Sequence, residues 1–270
     1  MPESISFWTI TMCRRQAHKD FVTKKGNLSM CGIRASVAMA VYNGERYIRE
    51  QIDSVLERMG PDDELVISYD MSKDNTKQII DEYAQRDVRV RVVPNTGKGG
   101  VQNNFTNAVM NCKGEYIFLC DQDDLWIGNK IERVVEIFQQ TGADLVVHDG
   151  YMTDATLERI QCRFFERFGT YNNPILNIIK CNFWGCCMAF RNHVRQWVCP
   201  FPGIKGVCHD CWLGIIVGFR GKIARTEECF IKHRLHDNNV TINGGRTLWV
   251  IAKDRCKLVC HLLGRWVGKC

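Results

Sequence analysis

Between residues 35 and 148 the apolar residues switch repeatedly between a spacing of two and a spacing near 3.6. Ser36–Val41 reads as a buried strand, followed by a helix with Ile48, Ile52, Val55, Leu56 and Met59 on one face. Glu64–Tyr69 is a second strand, and a helix led by Ser72 and Asp74 turns Ile79, Ile80 and Tyr83 inward. Val88–Val93, stopped by Pro94, makes a third strand ahead of a helix with Val101, Phe105, Ala108, Val109 and Cys112 on one side. Glu115–Cys120, a helix carrying Ile131, Val134, Val135 and Phe138, and Asp144–His148 complete the run. Strands alternating with helices build βαβ units, so the expected fold is α/β, with a mostly parallel sheet flanked by helices. Ligands of such sheets sit at the carboxyl ends of the strands. Three polar loops fall there: Tyr42-Asn43-Gly44-Glu45, Asp70-Met71-Ser72-Lys73-Asp74 and Asp121-Gln122-Asp123-Asp124.

The rest of the chain divides by rhythm and charge. Residues 1–34 show no clear period and read as a poorly ordered extension. Residues 149–245 are irregular, with helix-like stretches at Pro174–Lys180 and Asp210–Val217, and read as a lobe closing over the sheet edge. Residues 246–270 read as a basic amphipathic helix, either resting on an anionic membrane surface or packed on the body. The net charge is +6, but five basic and two acidic residues lie in 1–30, and six and one in 246–270, leaving the body at −2. An acidic body of this kind excludes a general nucleic-acid binder, which carries its basic stripe across the fold. The 15 cysteines are irregularly spaced and no basic leader opens the chain, so reduced thiols in the cytoplasm are expected. The longest uncharged runs, Cys181–Phe190 and Cys211–Phe219, are core-sized rather than membrane-spanning.

Three carboxylates in four residues, Asp121, Asp123 and Asp124, repel one another unless a cation sits among them. Hard oxygen ligands suit Mg²⁺ or Mn²⁺, commonly shared with phosphates. The bland alternative is a solvated acidic turn capping the next helix.

The motifs together are distinctive. Ser36–Glu45 resembles the opening strand and loop of family-two glycosyltransferases, Ile67–Thr76 their second-strand motif, and Gly114–Asp124 the strand carrying their metal-binding DxD. The resemblance continues through His209-Asp210-Cys211-Trp212 and Arg234-Leu235-His236-Asp237-Asn238-Asn239, and is nearest to bacterial rhamnosyltransferase-like members that build surface polysaccharides. It implies a GT-A (Rossmann-like) fold with nucleotide-sugar-binding residues in 35–148 and acceptor-binding residues in 149–245. It also implies inverting transfer of a sugar from a dTDP- or UDP-sugar donor to a glycan or lipid-linked glycan. By motif position Val41, Tyr42, Asn43, Glu45 and Asp70 would contact the nucleotide, with Lys98 and Asn104 on the same side. Asp121, Asp123 and Asp124 would bind metal and donor, Asp210 would be the general base, and Arg234 and His236 would approach the diphosphate, His236 as a further metal ligand. Inverting transfer is an in-line displacement, so it needs one base for the acceptor proton and a cation for the departing diphosphate. Without the resemblance Asp210 reads as a helix N-cap. Arg234 and His236, two apart, project to one side of an extended segment.

Two residues depart from the family's pattern. Tyr69 stands where a carboxylate is usual, and Met71 where glycine tolerates positive φ, so an altered turn and weaker nucleotide binding are expected. His233 replaces a usual Tyr. Gly97-Lys98-Gly99-Gly100 lacks the spacing of a phosphate-binding loop. Cys208-His209-Asp210-Cys211 with Cys256, Cys260 and His261 is a weak zinc pattern. Two rival readings are a non-catalytic member that binds nucleotide or glycan, and another nucleotide-dependent α/β enzyme such as a nucleotidyltransferase.

Overall fold

The computed structural model describes residues 32–204, 206–236 and 248–266, all but Gly32 within the unit Ile33–Cys270. The expected extension over residues 1–31 and the Asp237-Asn238-Asn239 end of the last motif lie outside these residues. The strand–helix run is β1 (Ala35–Val41), α1 (Ile48–Leu56), β2 (Asp63–Tyr69), α2 (Thr76–Arg86), β3 (Val90–Pro94), α3 (Val101–Asn111), β4 (Tyr116–Cys120), β5 (Leu125–Trp126), α4 (Lys130–Thr141) and β6 (Leu145–Thr153). There follow β7 (Ile160–Arg163), α5 (Phe164–Phe168), α6 (Pro174–Ile179), β8 (Met188–Arg191), α7 (Arg195–Val198), α8 (His209–Arg220), β9 (Ile223–Arg234) and α9 (Leu248–Trp266).

The strands form one sheet in the order β3-β2-β1-β4-β8-β6-β9-β5, with β7 on β6. β3, β2, β1 and β4 are mutually parallel, as are β6 and β9; β8 runs antiparallel to both its neighbours. The chain therefore does not leave the sheet at the expected boundary of 148/149. β6 runs through that boundary, and β8 and β9 extend the same sheet.

Side chains alternate across each strand, and both faces are dry. Val37, Met39, Phe118 and Cys120 join Ile52, Ile131 and Phe138 in one core, while Ala38, Ile117 and Leu119 join Phe105, Leu213 and Trp212 in the other. Each such fully buried large side chain contributes about 1.5–3 kcal/mol relative to exposure. The turn into β4 runs tight against β1, so that a Cβ on Gly114 would lie 2.6 Å from the Ser36 nitrogen; only glycine fits.

Three local readings differ from the structure. Val88 is fully exposed and precedes β3. β6 extends five residues beyond His148, because Asp149, a break in the apolar run, is buried with its carboxylate accepting from the Gly150 and Phe165 N–H groups and pairing with Arg163. β9 was hidden because its first seven residues are half-buried or exposed and only Phe230–Arg234 carries buried residues in quantity.

Candidate functional site

The three polar loops meet at the carboxyl ends of β1, β2 and β4, bound together by side chains that take the place of a sheet ladder. The Val41 carbonyl accepts from the Asp70 N–H at 3.0 Å and from Asn104 Nδ2 at 3.0 Å. Asp70 is buried and its carboxylate accepts from Asn95 Nδ2 at 2.6 Å and the Gly100 N–H at 2.8 Å. It thereby anchors the loop on which the exposed Lys98 lies. Gln122 accepts from the Tyr42 N–H and donates to the Tyr42 carbonyl, both at 2.9 Å, stitching the β1 loop to the acidic loop. Its amide lies where a Cβ on Gly44 would come, 2.6 Å from Oε1, which accounts for a glycine there.

The β1 and β2 loops are joined as tightly. Asn43, at φ 46°, donates its N–H to Ser72 Oγ and accepts from the Lys73 N–H, each at 2.9 Å. Asparagine tolerates this left-handed conformation. Glu45 accepts from the Asn75 N–H and Nδ2 at 2.8 and 3.0 Å, so its carboxylate joins the two loops while the residue stays exposed. The Tyr69 hydroxyl accepts the Ser72 N–H at 2.9 Å, as a carboxylate at that position could. At Met71 φ is not positive and the side chain points into solvent, so the turn does not take the conformation that a glycine would permit.

The acidic loop separates into two functions. Asp123 Oδ2 lies 3.0 Å from His236 Nε2, and the His236 ring stacks on Tyr47 at 5.0 Å. Burial first, then the charges of Asp124, Asp123 and Asp210, hold the Asp121 carboxyl well above the usual carboxylate range, with His233 opposing them. Such crowding is relieved by a cation; of the expected ligands Asp123 and His236 are in direct contact, and Asp121 is linked to them through charge. Asp124, also an expected metal ligand, meets a different histidine. It is buried, its Oδ1 accepting from His233 Nδ1 at 2.7 Å and from the Arg234 N–H at 3.3 Å. Burial works against charge on His233, but the Asp124 carboxylate outweighs it and raises the imidazole well above its ordinary value. Asp124, Cys186 and His233 are the one group among the described residues close enough to share a metal ion. The Cys208–Cys211 and Cys256–Cys260 pattern is not so gathered: His209 is buried against Phe105, with ring centroids 4.1 Å apart.

Arg234 also departs from expectation. Its buried guanidinium donates to the Asp123 carbonyl at 3.0 Å, the Ala155 carbonyl at 2.7 Å and Glu50 at 2.5 Å, and lies over the Tyr47 ring. These partners tie the acidic loop to β6's outgoing turn and to α1. Asp210 is in the first turn of α8 and is not its N-cap, which is Cys208. Its Oδ2 accepts the Gly185 N–H at 3.2 Å, and its charge reaches Asp121.

Residues missed from the sequence include Gln122, Glu50 and Tyr47, whose only signal is proximity to named motifs, and Lys130. The Lys130 amine is fully buried, donates to the Cys186 carbonyl at 2.9 Å and sits 3.9 Å above the Trp126 ring; burial lowers its pKa.

The model of glycosyl transferase family 2 matches residues 36–196. The chain is 26% identical over 232 residues to the putative teichuronic acid biosynthesis glycosyltransferase TuaG of Bacillus subtilis, covering 81% of this chain and 87% of TuaG. It is 36% identical over 103 residues to the dTDP-rhamnosyl transferase RfbG of Shigella flexneri, covering 36% of each. Among solved structures, S. aureus TarS residues 1–349 in complex with UDP-GlcNAc superposes with a TM-score of 0.65 at 15% identity, covering 85% of this chain and 66% of that one. That likeness shows a GT-A fold.

Proposed function

Because the chain belongs to glycosyl transferase family 2, we propose that it is a metal-assisted, inverting glycosyltransferase of the cytoplasm, moving a sugar from a dTDP- or UDP-sugar to a hydroxyl of a growing surface glycan, free or lipid-linked. The observation that supports the reading is the Asp123–His236 contact in the acidic loop at the carboxyl end of β4, with the Asp210 charge felt at Asp121. The free thiols of the described cysteines fit a reducing compartment.

In this reading residues 35–148 hold the donor and 149–245 the acceptor. Asp210 takes the acceptor hydroxyl's proton while that oxygen attacks the anomeric carbon from the face opposite the leaving group. The bond from the anomeric carbon to the diphosphate oxygen breaks, and nucleoside diphosphate departs. Mg²⁺ or Mn²⁺ held by Asp121, Asp123 and His236 would supply the positive charge that neutralises it. The Gly185 N–H orients Asp210, and Arg234 fixes the backbone of Asp123, so that base and metal ligands keep their spacing.

Thermal-shift binding of UDP, dTDP and GDP, each with and without Mn²⁺, tests the site on the native chain and on Asp123→Ala, since a ligand that binds the folded state raises apparent stability by RT ln(1 + [L]/Kd). One nucleotide should shift the native protein in a metal-dependent way and leave Asp123→Ala unmoved. With the matching sugar-nucleotide, Asp210→Asn should bind normally but release nucleoside diphosphate at least about a hundredfold more slowly. Absence of any nucleotide shift would favour the non-catalytic reading, and release of pyrophosphate from an NTP the nucleotidyltransferase one.

A further inference from the structure

Exposed large apolar side chains are not spread evenly over this protein. Of fifteen among the described residues, eight belong to α6 and α9, which pack against one another. On α6, Ile175, Leu176 and Ile179 are 60%, 47% and 67% exposed. On α9, Trp249 and Leu263 are 75% and 59% exposed, and Val259 37%.

The helical period explains how α9 comes to have two apolar sides. At 100° per residue, Asp254, Leu258, Leu262 and Arg265 fall within an arc of about 80°. That arc meets the body: Asp254, Leu258 and Leu262 are buried, and Arg265 donates to the Val198 and Pro200 carbonyls and lies over Trp212. Trp249, Ala252, Cys256, Val259, Cys260 and Leu263 share the opposite arc, about 100° wide, where an ordinary surface helix is polar. All six are exposed or nearly so. Lys253 and Lys257 flank this stripe, the Lys253 amine 5.9 Å from the Trp249 ring and Lys257 4.0 Å from Asp254. The only acid of the two helices, Asp254, is turned into the body, while Lys180 at the end of α6 is exposed.

An outward apolar stripe with a tryptophan, bordered by lysines and free of exposed acids, matches the chemistry of a bilayer interface: hydrocarbon beneath, anionic headgroups alongside. No described helix is long and apolar enough to cross a membrane, so the contact is one of lying on the surface. We infer that α9 and α6 together form a docking face for an anionic lipid bilayer. The inference deepens the glycosyl-transfer reading, on which it rests for its purpose: a surface-bound enzyme meets a lipid-linked acceptor where it is anchored. The docking itself needs no donor.

Cosedimentation of the full chain with vesicles tests it, comparing phosphatidylcholine alone with phosphatidylcholine containing phosphatidylglycerol. The native chain should bind the anionic vesicles, release in high salt, and bind the neutral ones far more weakly. The double substitution Trp249→Glu and Leu263→Glu should lower partitioning by at least about tenfold, and Ile175→Glu with Ile179→Glu should also lower it, with melting temperature and nucleotide shift unchanged. Lys253→Glu with Lys257→Glu should abolish the preference for anionic lipid. The inference is overturned if the native chain fails to bind either vesicle, or if the α9 variant binds vesicles as well as the native chain. It is also overturned if sedimentation equilibrium shows that the variants convert a dimer to a monomer, since the face is then covered by a second copy. A chain that binds vesicles yet shows no nucleotide shift would retain the docking face and remove the catalytic reading.

Discussion

Replacing Arg234 with lysine separates a positioning role from a phosphate-binding one. The arginine donates to two carbonyls, those of Asp123 and Ala155, from a buried position, and to Glu50, whose side chain is 53% exposed. Hydrogen bonds from a charged group to a carbonyl are worth about 1.5–3 kcal/mol each, while an ion pair with a half-exposed partner adds little. A lysine keeps the charge but lacks the planar fork, and can remake one of the carbonyl bonds. Arg234→Lys should therefore lower the unfolding free energy by about 2–3 kcal/mol, with no nucleotide present. Urea unfolding followed by tryptophan fluorescence measures this directly, as a lower midpoint at unchanged slope. A midpoint equal to the native one, together with weakened nucleotide binding, would refute the reasoning and return Arg234 to the diphosphate.

Two further outcomes follow from the same structure. Gln122→Ala and Gly44→Ala should each cost about 1–2 kcal/mol in urea unfolding, and the double variant no more than either, because the alanine at 44 acts by displacing the Gln122 amide from Tyr42; additive losses would contradict that. Burial pushes His148 well below its ordinary value of 6.5, with the Lys130 charge acting the same way, so the folded protein holds it neutral while the unfolded chain protonates it. Stability should thus fall as pH drops below about 6.5, with His148 contributing up to about 1.4 kcal/mol per pH unit, and His148→Gln should flatten that slope in denaturation at a series of pH values.

The half of the fold built from β1 to α4 was readable because its signals are local. Ile48, Ile52 and Val55 fall on one helical face, and the strands are short apolar runs bounded by Pro, Asn and Asp. β9 was not readable because its first half is half-exposed and its partner β6 contains the polar His148-Asp149, whose burial depends on Arg163 and on backbone donors from other segments. The same distinction runs through the candidate site. Asp121, Asp123, His236 and Asp210 were legible as candidates from motif chemistry, and of these Asp123 meets His236. The work of Arg234, Glu45 and Asp124 was not, since each is decided by a partner distant in sequence: the Ala155 carbonyl, Asn75 and His233. Met71 signalled an altered turn but not its form, which closes through the Tyr69 hydroxyl without positive φ.

The pairing of β5 with β9, Leu125 against Lys232 and Trp126 against Ile231, sets an order of events during synthesis. Once Cys120 has left the ribosome, β1 to β4 can pair side by side through their crossover helices, since the strand pairings among these four all lie behind Cys120 in the chain. The loop that follows has only part of its support behind it, the Gln122 bonds to Tyr42. Its neighbour β5, the Asp124 carboxylate and the Asp123 carbonyl all await Ile231, His233 and Arg234, which emerge only after the whole of α4 to α8 has been made. Long-range closure of this kind is the slow step of folding. The Asp123 and Asp124 side of the loop is therefore completed only with β9, the last strand of the sheet in chain order, and until then a nascent chain holds its most charge-crowded loop from the β1 side alone.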